Sequence, residues 1–318
     1  MKPIAAAALT TLATTAALFA DNVWNTVEED GRVLAQLNGK TVLGFQKAPI
    51  KDPKGGQKFA GSHFISPLAT PSGFVTTELQ PSDHLHHFSL WWPWKFIEVD
   101  GRKFNTWEIQ NGEGAPVADG VEVVSKGPDA IQWRLAGRVA LRGKEDAEPR
   151  VVIRETTDLA MSLLDAQTIA LDLTIRQLPN HAKVVIGKNH YSGLGWRGTP
   201  EWNGENSTLV TSEGHSRENG NGQPVRWILI TGGRPGGKAS VLLMSAASET
   251  GEAERMRCWN AKMHSGHHFV NLNPVAQQSI PLDDEHPAVS QRRYRIVTSD
   301  REINTKEAET LWKSWLGK

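Results

Sequence analysis

Thr168-Ile169-Ala170-Leu171-Asp172-Leu173-Thr174-Ile175-Arg176-Gln177-Leu178 alternates from end to end. Ile169, Leu171, Leu173 and Ile175 fall on one face, and Ala170, Asp172, Thr174 and Arg176 on the other. Successive side chains of an extended chain point to opposite sides, so this stretch reads as a strand with one face buried and one wet. Shorter runs of the same kind recur at 121–124, 131–135, 150–153, 184–186, 225–230, 240–244 and 293–297. Turn dipeptides punctuate them: Asn38-Gly39, Asp100-Gly101, Pro179-Asn180 and Gly232-Gly233. Strands at this density, with no amphipathic helix between them, predict an all-β protein built as a large antiparallel β-sandwich. One helix is predicted, over 305–316. Asn304 caps it, Glu307 completes a capping box and Gly317 ends it, while Leu311, Trp312 and Trp315 form the stripe that docks it and closes the sandwich. A single domain over 21–318 is expected.

The composition narrows the function classes. In 318 residues, 35 basic and 35 acidic side chains cancel, so no net charge draws the chain to nucleic acid or to an anionic membrane. A hydrophobic content of 39% with 22% charged residues suits a folded protein rather than a disordered one. The one cysteine, Cys258, excludes an internal disulfide framework and any multi-cysteine metal centre. Residues 1–20 carry Lys2 and then an uncharged run rich in Ala, Leu and Thr, after which Asp21 restores polarity. That layout predicts a secretory signal peptide and a periplasmic or secreted mature protein. No cysteine follows the run to take a lipid, and no later window is apolar enough to span a bilayer, so no membrane partner is expected after signal removal.

Two glycine motifs look like phosphate cradles and are refused. Gly193-Leu194-Gly195-Trp196-Arg197-Gly198 fits G-x-G-x-x-G, but that motif needs a helix N-terminus directly after it, and Thr199-Pro200-Glu201-Trp202 follows. Residues 232–238 nearly fit the P-loop, yet Ala239 stands where a Ser or Thr must hold Mg²⁺, and a strand pattern comes next. A hairpin loop is the better reading there. No nucleotide cofactor is expected.

The histidines carry the chemistry. Six of the 11 lie in two segments, His84, His86 and His87 in one and His264, His267 and His268 in the other. Read as extended chain, the first segment puts His84 and His86 on one face, about 6–7 Å apart, and turns His87 the other way. Such a pair can grip one divalent metal ion or one polar substrate, and Asp83 can orient a ring. Leu90, Trp92 and Trp94 share that face by the same count. Aromatic faces beside polar groups suit sugars, whose C–H faces stack while their hydroxyls take hydrogen bonds.

The run Asp83-His84-Leu85-His86-His87-Phe88-Ser89-Leu90-Trp91-Trp92 resembles the D-H-P-H-H-R/K-x-L-aromatic-aromatic signature of the PmoA-like family of secreted bacterial proteins. Asn105-Thr106-Trp107, Tyr191-Ser192-Gly193-Leu194 with Arg197, Ser212-Glu213-Gly214, Arg226-Trp227 with Gly232, and Cys258-Trp259 through Asn273-Pro274 resemble further segments of that family, in order. Leu85 stands in place of its proline, Phe88 in place of its basic residue, and Asn260 in place of a histidine after Trp259. The resemblance implies a sandwich of the galactose-mutarotase type and an association with carbohydrate use. The family's label also implies methane oxidation, which needs apolar spans that this chain lacks beyond its first twenty residues.

The sequence therefore predicts a carbohydrate-active protein acting on a small-molecule or oligosaccharide substrate in a His-rich, Trp-lined groove. His84 and His86 are the candidate acid/base groups or metal ligands, Glu213 the carboxylate partner, and Tyr191 a hydroxyl in reach of substrate. His87, Arg197, Trp92, Trp227, His190 and His264 are the candidate substrate-binding residues, Arg197 for a carboxylate or carbonyl. Epimerase, hydrolase and lyase chemistry all remain open. The alternatives are a non-catalytic carbohydrate-binding protein and a periplasmic metal-binding protein built on the histidines.

Overall fold

The structure, a computed structural model, describes residues 23–128, 130–246 and 253–318. The expected signal segment over 1–20 lies outside the described residues.

Two eight-stranded antiparallel sheets face each other. The first runs, in spatial order, Trp24–Glu29, Arg32–Leu37, Lys40–Gln46, Phe64–Leu68, Leu90–Trp91, Leu194–Arg197, Phe269–Asn273 and Arg255–Cys258. The second runs Ser207–Thr211, Trp227–Arg234, Gly237–Ser245, Gln291–Ser299, Thr168–Pro179, Arg150–Asp165, Ala130–Leu141 and Gly114–Lys126. A four-stranded sheet, with Val184–Gly187 and Phe96–Val99 at its centre, packs its apolar side against Val139, Leu141, Val152 and Ile153 of the second sheet.

The alternating stretch behaves as its pattern demands. Thr168–Pro179 pairs with Arg150–Asp165 on one side and Gln291–Ser299 on the other. Ile169, Leu171, Leu173 and Ile175 are buried in the core between the sheets. Asp172, on the opposite face, accepts from Arg295 at 2.8 and 2.6 Å. Neither glycine motif precedes a helix. The first contains the strand Leu194–Arg197, and the second is the hairpin turn between Trp227–Arg234 and Gly237–Ser245.

The C-terminal helix spans Thr305–Trp315, and Asn304 Oδ1 accepts from the Glu307 N–H at 2.9 Å. It does not close an end of the sandwich. Trp312 and Ala308 are buried against Trp227, Leu229, Leu242, Met244 and Val297, on the outer face of the second sheet. The reason lies in strands such as Val241-Leu242-Leu243-Met244, which are apolar on both faces and so need cover on both.

One polar node interrupts the core. Glu155 accepts from His63 at 2.6 Å, Trp92 at 2.7 Å, Thr157 at 2.9 Å and Gln177 at 2.6 Å, and Gln177 in turn accepts from Trp94 at 2.8 Å. Burial alone would raise the Glu155 carboxyl. His63 and the donated hydrogen bonds outweigh it and hold the group down to about 2, so it stays ionised. The node fixes Trp92 and Trp94, and through them the chain that follows the histidines.

Candidate functional site

The outer face of the first sheet carries the site, and strand periodicity selects its residues. Leu90, Leu194, Trp196, Val270, Leu272, Met256 and Cys258 point into the core. Their neighbours Trp91, Arg197, Phe269 and Arg257 therefore project outward, on adjacent strands. Gly195 has no side chain there, and a Cβ would meet the Trp91 ring at 3.3 Å, so the indole lies flat over the strand. Trp91, Phe269, Trp107 and Trp259 join Phe64 and Phe88 in a buried aromatic layer on this face.

Two loops lie on that layer. Residues 81–87 form successive tight turns, with the His84 N–H donating to Pro81 O at 3.0 Å and the His87 N–H to His84 O at 2.9 Å. Residues 259–268 fold back through three consecutive left-handed residues, His264, Ser265 and Gly266, with φ of 48°, 56° and 75°. Arg217 holds this second loop. Its guanidinium donates to the carbonyls of Trp259 at 3.1 Å, Gly266 at 2.8 Å, Asn260 at 3.3 Å and His267 at 3.0 Å.

The turns gather four imidazoles. The His84 ring centroid lies 5.5 Å from His86, 4.7 Å from His87 and 4.7 Å from His264. His264 stacks on Trp259 at 3.8 Å, and His87 rests 4.8 Å from Phe269. Asp83 joins them, with Oδ2 3.3 Å from His84 Nδ1 and 3.7 Å from His264 Nδ1. Its other oxygen accepts from Arg197 at 2.8 Å. Arg197 is itself buried, 5.0 Å over the Trp259 ring and 3.7 Å from Glu78.

Burial disfavours the charged form of three of these rings, while the neighbours of Asp83 favour its carboxylate. Burial lowers His86 to about 4 against the pull of nearby Glu108, and lowers His87 well below its usual value with help from His86 and His84. His264 is lowered by burial and by His84. Burial would raise Asp83, but Arg197 and His84 outweigh it and the carboxyl ends below its usual range. The patch thus sets imidazole nitrogens, which can ligate or accept a proton, beside one oriented carboxylate.

Beside the cluster the same face opens into a groove of about 320 Å³, lined by His190, Asn221, Arg255, Arg257, Asn273 and Gln277 among others, with no carboxylate among its described lining residues. Tyr191 links the two regions. Its ring is 5.7 Å from Trp107 and 5.9 Å from Phe269, and its hydroxyl accepts from Arg257 at 3.1 Å. The cavity behind the aromatic layer, near His63 and Glu155, holds only about 20 Å³, room for a water but not for a sugar.

Several sequence expectations meet here and several do not. His84, His86, His264, Arg197, Tyr191 and His190 come together on this face. His87 does not turn away as an extended segment requires. The segment is coiled into turns, so all three of its histidines converge. Trp92 and Trp94 are not walls of the site, because they point into the interior toward Glu155 and Gln177. Trp91 takes the outward position instead, and even there the indoles are buried beneath the histidines rather than exposed for stacking. Glu213 is not the carboxylate partner; it faces Arg226 at 3.2 Å, which also binds Glu309 of the C-terminal helix. Trp227 is under that helix, donating to Glu309 at 2.9 Å. The residues grouped for a metal are Asp83, His84 and His264, not His84 with His86. Sequence reasoning missed Trp107, Trp259, Phe269, Arg257 and Arg217. The alternation Phe269-Val270-Asn271-Leu272-Asn273 carries the signal for Phe269, whereas nothing local marks Arg217.

Fold and site together define an all-β antiparallel sandwich bearing a histidine cluster on the outer face of one sheet. The chain belongs to DUF6807, a family of unknown function, whose profile matches residues 32–313. No curated protein matches it. Among solved structures, a GalM/aldose epimerase homologue from C. elegans is 8% identical, with 87% of this chain and 98% of that one covered and a TM-score of 0.36. A galactose mutarotase-like protein from Lactobacillus casei is 7% identical, with coverage of 87% and 99% and a TM-score of 0.42. A 4-alpha-glucanotransferase from Thermococcus litoralis is 8% identical, covering 89% of this chain and 38% of its own, with a TM-score of 0.26.

Proposed function

We propose that the chain is a carbohydrate-active enzyme that transfers protons on a sugar or glycoside held against the outer face of the first sheet. The observation that carries the reading is the convergence of His84, His86 and His264 around Asp83, next to a polar groove large enough for a sugar ring. The groove supplies guanidinium, amide and imidazole donors to hydroxyl or carboxylate oxygens. Tyr191 and Arg257 sit at the junction, where a sugar lying in the groove presents one edge to the histidines. His84 and His86 are half-buried, part of each ring open to solvent and part resting on other rings. An imidazole there can accept a proton from a carbon or hydroxyl; delivery of a proton to the opposite face completes an epimerisation, and delivery to a departing glycosidic oxygen as the double bond forms completes an elimination.

The test is a panel of aldoses, sugar acids and oligosaccharides followed by NMR for anomer exchange, epimerisation, elimination and cleavage. Wild-type protein should convert at least one of them, and His86→Ala should convert it at least 100-fold more slowly while still binding it. Equal rates for the two proteins end the catalytic reading. Sugar binding without turnover would make this a carbohydrate-binding protein instead.

A further inference from the structure

We propose that Asp83 Oδ2, His84 Nδ1 and His264 Nδ1 form a binding site for one divalent first-row transition-metal ion of the zinc type. The inference goes beyond the sugar reading and does not need it.

Spacing comes first. A tetrahedral ion with bonds of about 2.0–2.2 Å to nitrogen and oxygen holds its ligand atoms about 3.3–3.6 Å apart. Asp83 Oδ2 is 3.3 Å from His84 Nδ1 and 3.7 Å from His264 Nδ1, and the three ligand atoms lie within 4.8 Å of one another.

The surroundings are those of a ligand set. His84 Nδ1 is sealed from solvent and makes no well-directed hydrogen bond, its polar neighbour being Asp83 Oδ2 at 3.3 Å. Arg197 binds the second oxygen of Asp83, which leaves Oδ2 turned toward the imidazoles, as a ligating carboxylate is turned by its outer partner. Glu78 and Asp83 both face the Arg197 guanidinium, at 3.7 and 2.8 Å, so Asp83 stays beside a fixed cation that orients it. His264 is delivered by a backbone that visits the left-handed region at a non-glycine residue and again at Ser265, a conformation that side chains rarely adopt unprompted. Trp259 at 3.8 Å then fixes the ring plane. Two imidazoles and a carboxylate favour zinc, iron, cobalt, nickel or manganese over calcium or magnesium, and three protein ligands leave a position open to water or substrate.

The experiment uses the full chain, purified without a polyhistidine tag, stripped with chelator and titrated with Zn²⁺ by calorimetry and with Co²⁺ by visible absorption. One ion per chain should bind, with the d–d intensity of a low-coordinate cobalt site. His264→Gln and Asp83→Asn should each weaken Zn²⁺ at least about 100-fold, a loss at or beyond the top of the range for removing an outer partner. His286→Gln, at a distant exposed pair, should leave it unchanged. Circular dichroism and melting temperature establish that each variant is folded, and His84→Gln serves if either is not. No binding, or binding that all of these variants retain, overturns the proposal. If Zn²⁺ binds as predicted but no sugar is converted, the site stands and the sugar reading falls. If sugar is converted by stripped protein that takes up no metal, the sugar reading stands and this one falls.

Discussion

Replacing Arg217 with Met should release the loop that carries His264. Met keeps much of the aliphatic stem and removes every donor. The guanidinium makes four bonds to backbone carbonyls of one ten-residue loop, at 2.8 to 3.3 Å. A hydrogen bond from a charged donor contributes about 1.5–3 kcal/mol, so simple addition would give roughly 6–12 kcal/mol. That sum is too large, because water can reach the carbonyls of half-buried Asn260 and His267 once the guanidinium is gone. Those of buried Trp259 and Gly266 stay dry unless the loop opens. Counting those two in full puts the destabilisation of the closed loop at about 3–6 kcal/mol. Hydrogen exchange reads this directly through the N–H groups of Met263, Gly266 and His267, which bond Asn260, Met263 and His264 within the loop. Their protection should fall by about 10²- to 10³-fold or more, at about 1.4 kcal/mol per factor of ten, with strand amides such as those of Thr168–Pro179 unaffected. A change below tenfold would mean that the aromatic layer, not Arg217, holds the loop, and the account of how His264 is placed would be wrong.

Glu155→Gln should destabilise the fold by about 2–4 kcal/mol in urea melts, because an amide cannot accept from His63, Trp92 and Gln177 at once. Flipping Gln177 to compensate would only turn its amide onto Trp94, so a loss below 1 kcal/mol contradicts the node. Glu254 gives a pH test: burial raises its carboxyl from 4.5 to about 7, against the opposing pull of Tyr294 and Arg292. The folded chain keeps a proton that the unfolded chain releases, so stability should fall as pH rises from about 4.5 to about 7 and level off above. Glu254→Gln should remove that slope, matching wild type near pH 4 and exceeding it by about 3 kcal/mol or slightly more at pH 8. Glu213→Ala should leave any sugar turnover within twofold of wild type, since its partner is Arg226 beside the C-terminal helix; a tenfold loss would restore it to the site.

The sandwich was legible because its signal is local. Period-two alternation in Thr168–Pro179 fixes which side chains are inside, and Asn304 with Glu307 marks a helix start from four residues. The site was half legible. His84, His86 and His264 are conspicuous as residue types, yet their mutual geometry is decided by two turns within 81–87 that the alternation rule reads as extended chain. That single error reversed His87 and put Trp92 in place of Trp91. Arg217 and Glu213 show the other limit. Both are charged residues in loops near glycines, and only the long-range fold decides that one reaches under Trp259 while the other meets Arg226, itself bound to Glu309 of the C-terminal helix.

The most direct test is a titration of imidazole NMR resonances with the sugars and sugar acids of the substrate panel. A bound sugar should shift the ring signals of His84, His86, His190 and His264 together and leave those of His181 and His286 in place. A sugar that binds yet moves none of the first four would contradict the claim that this histidine cluster is where the protein works.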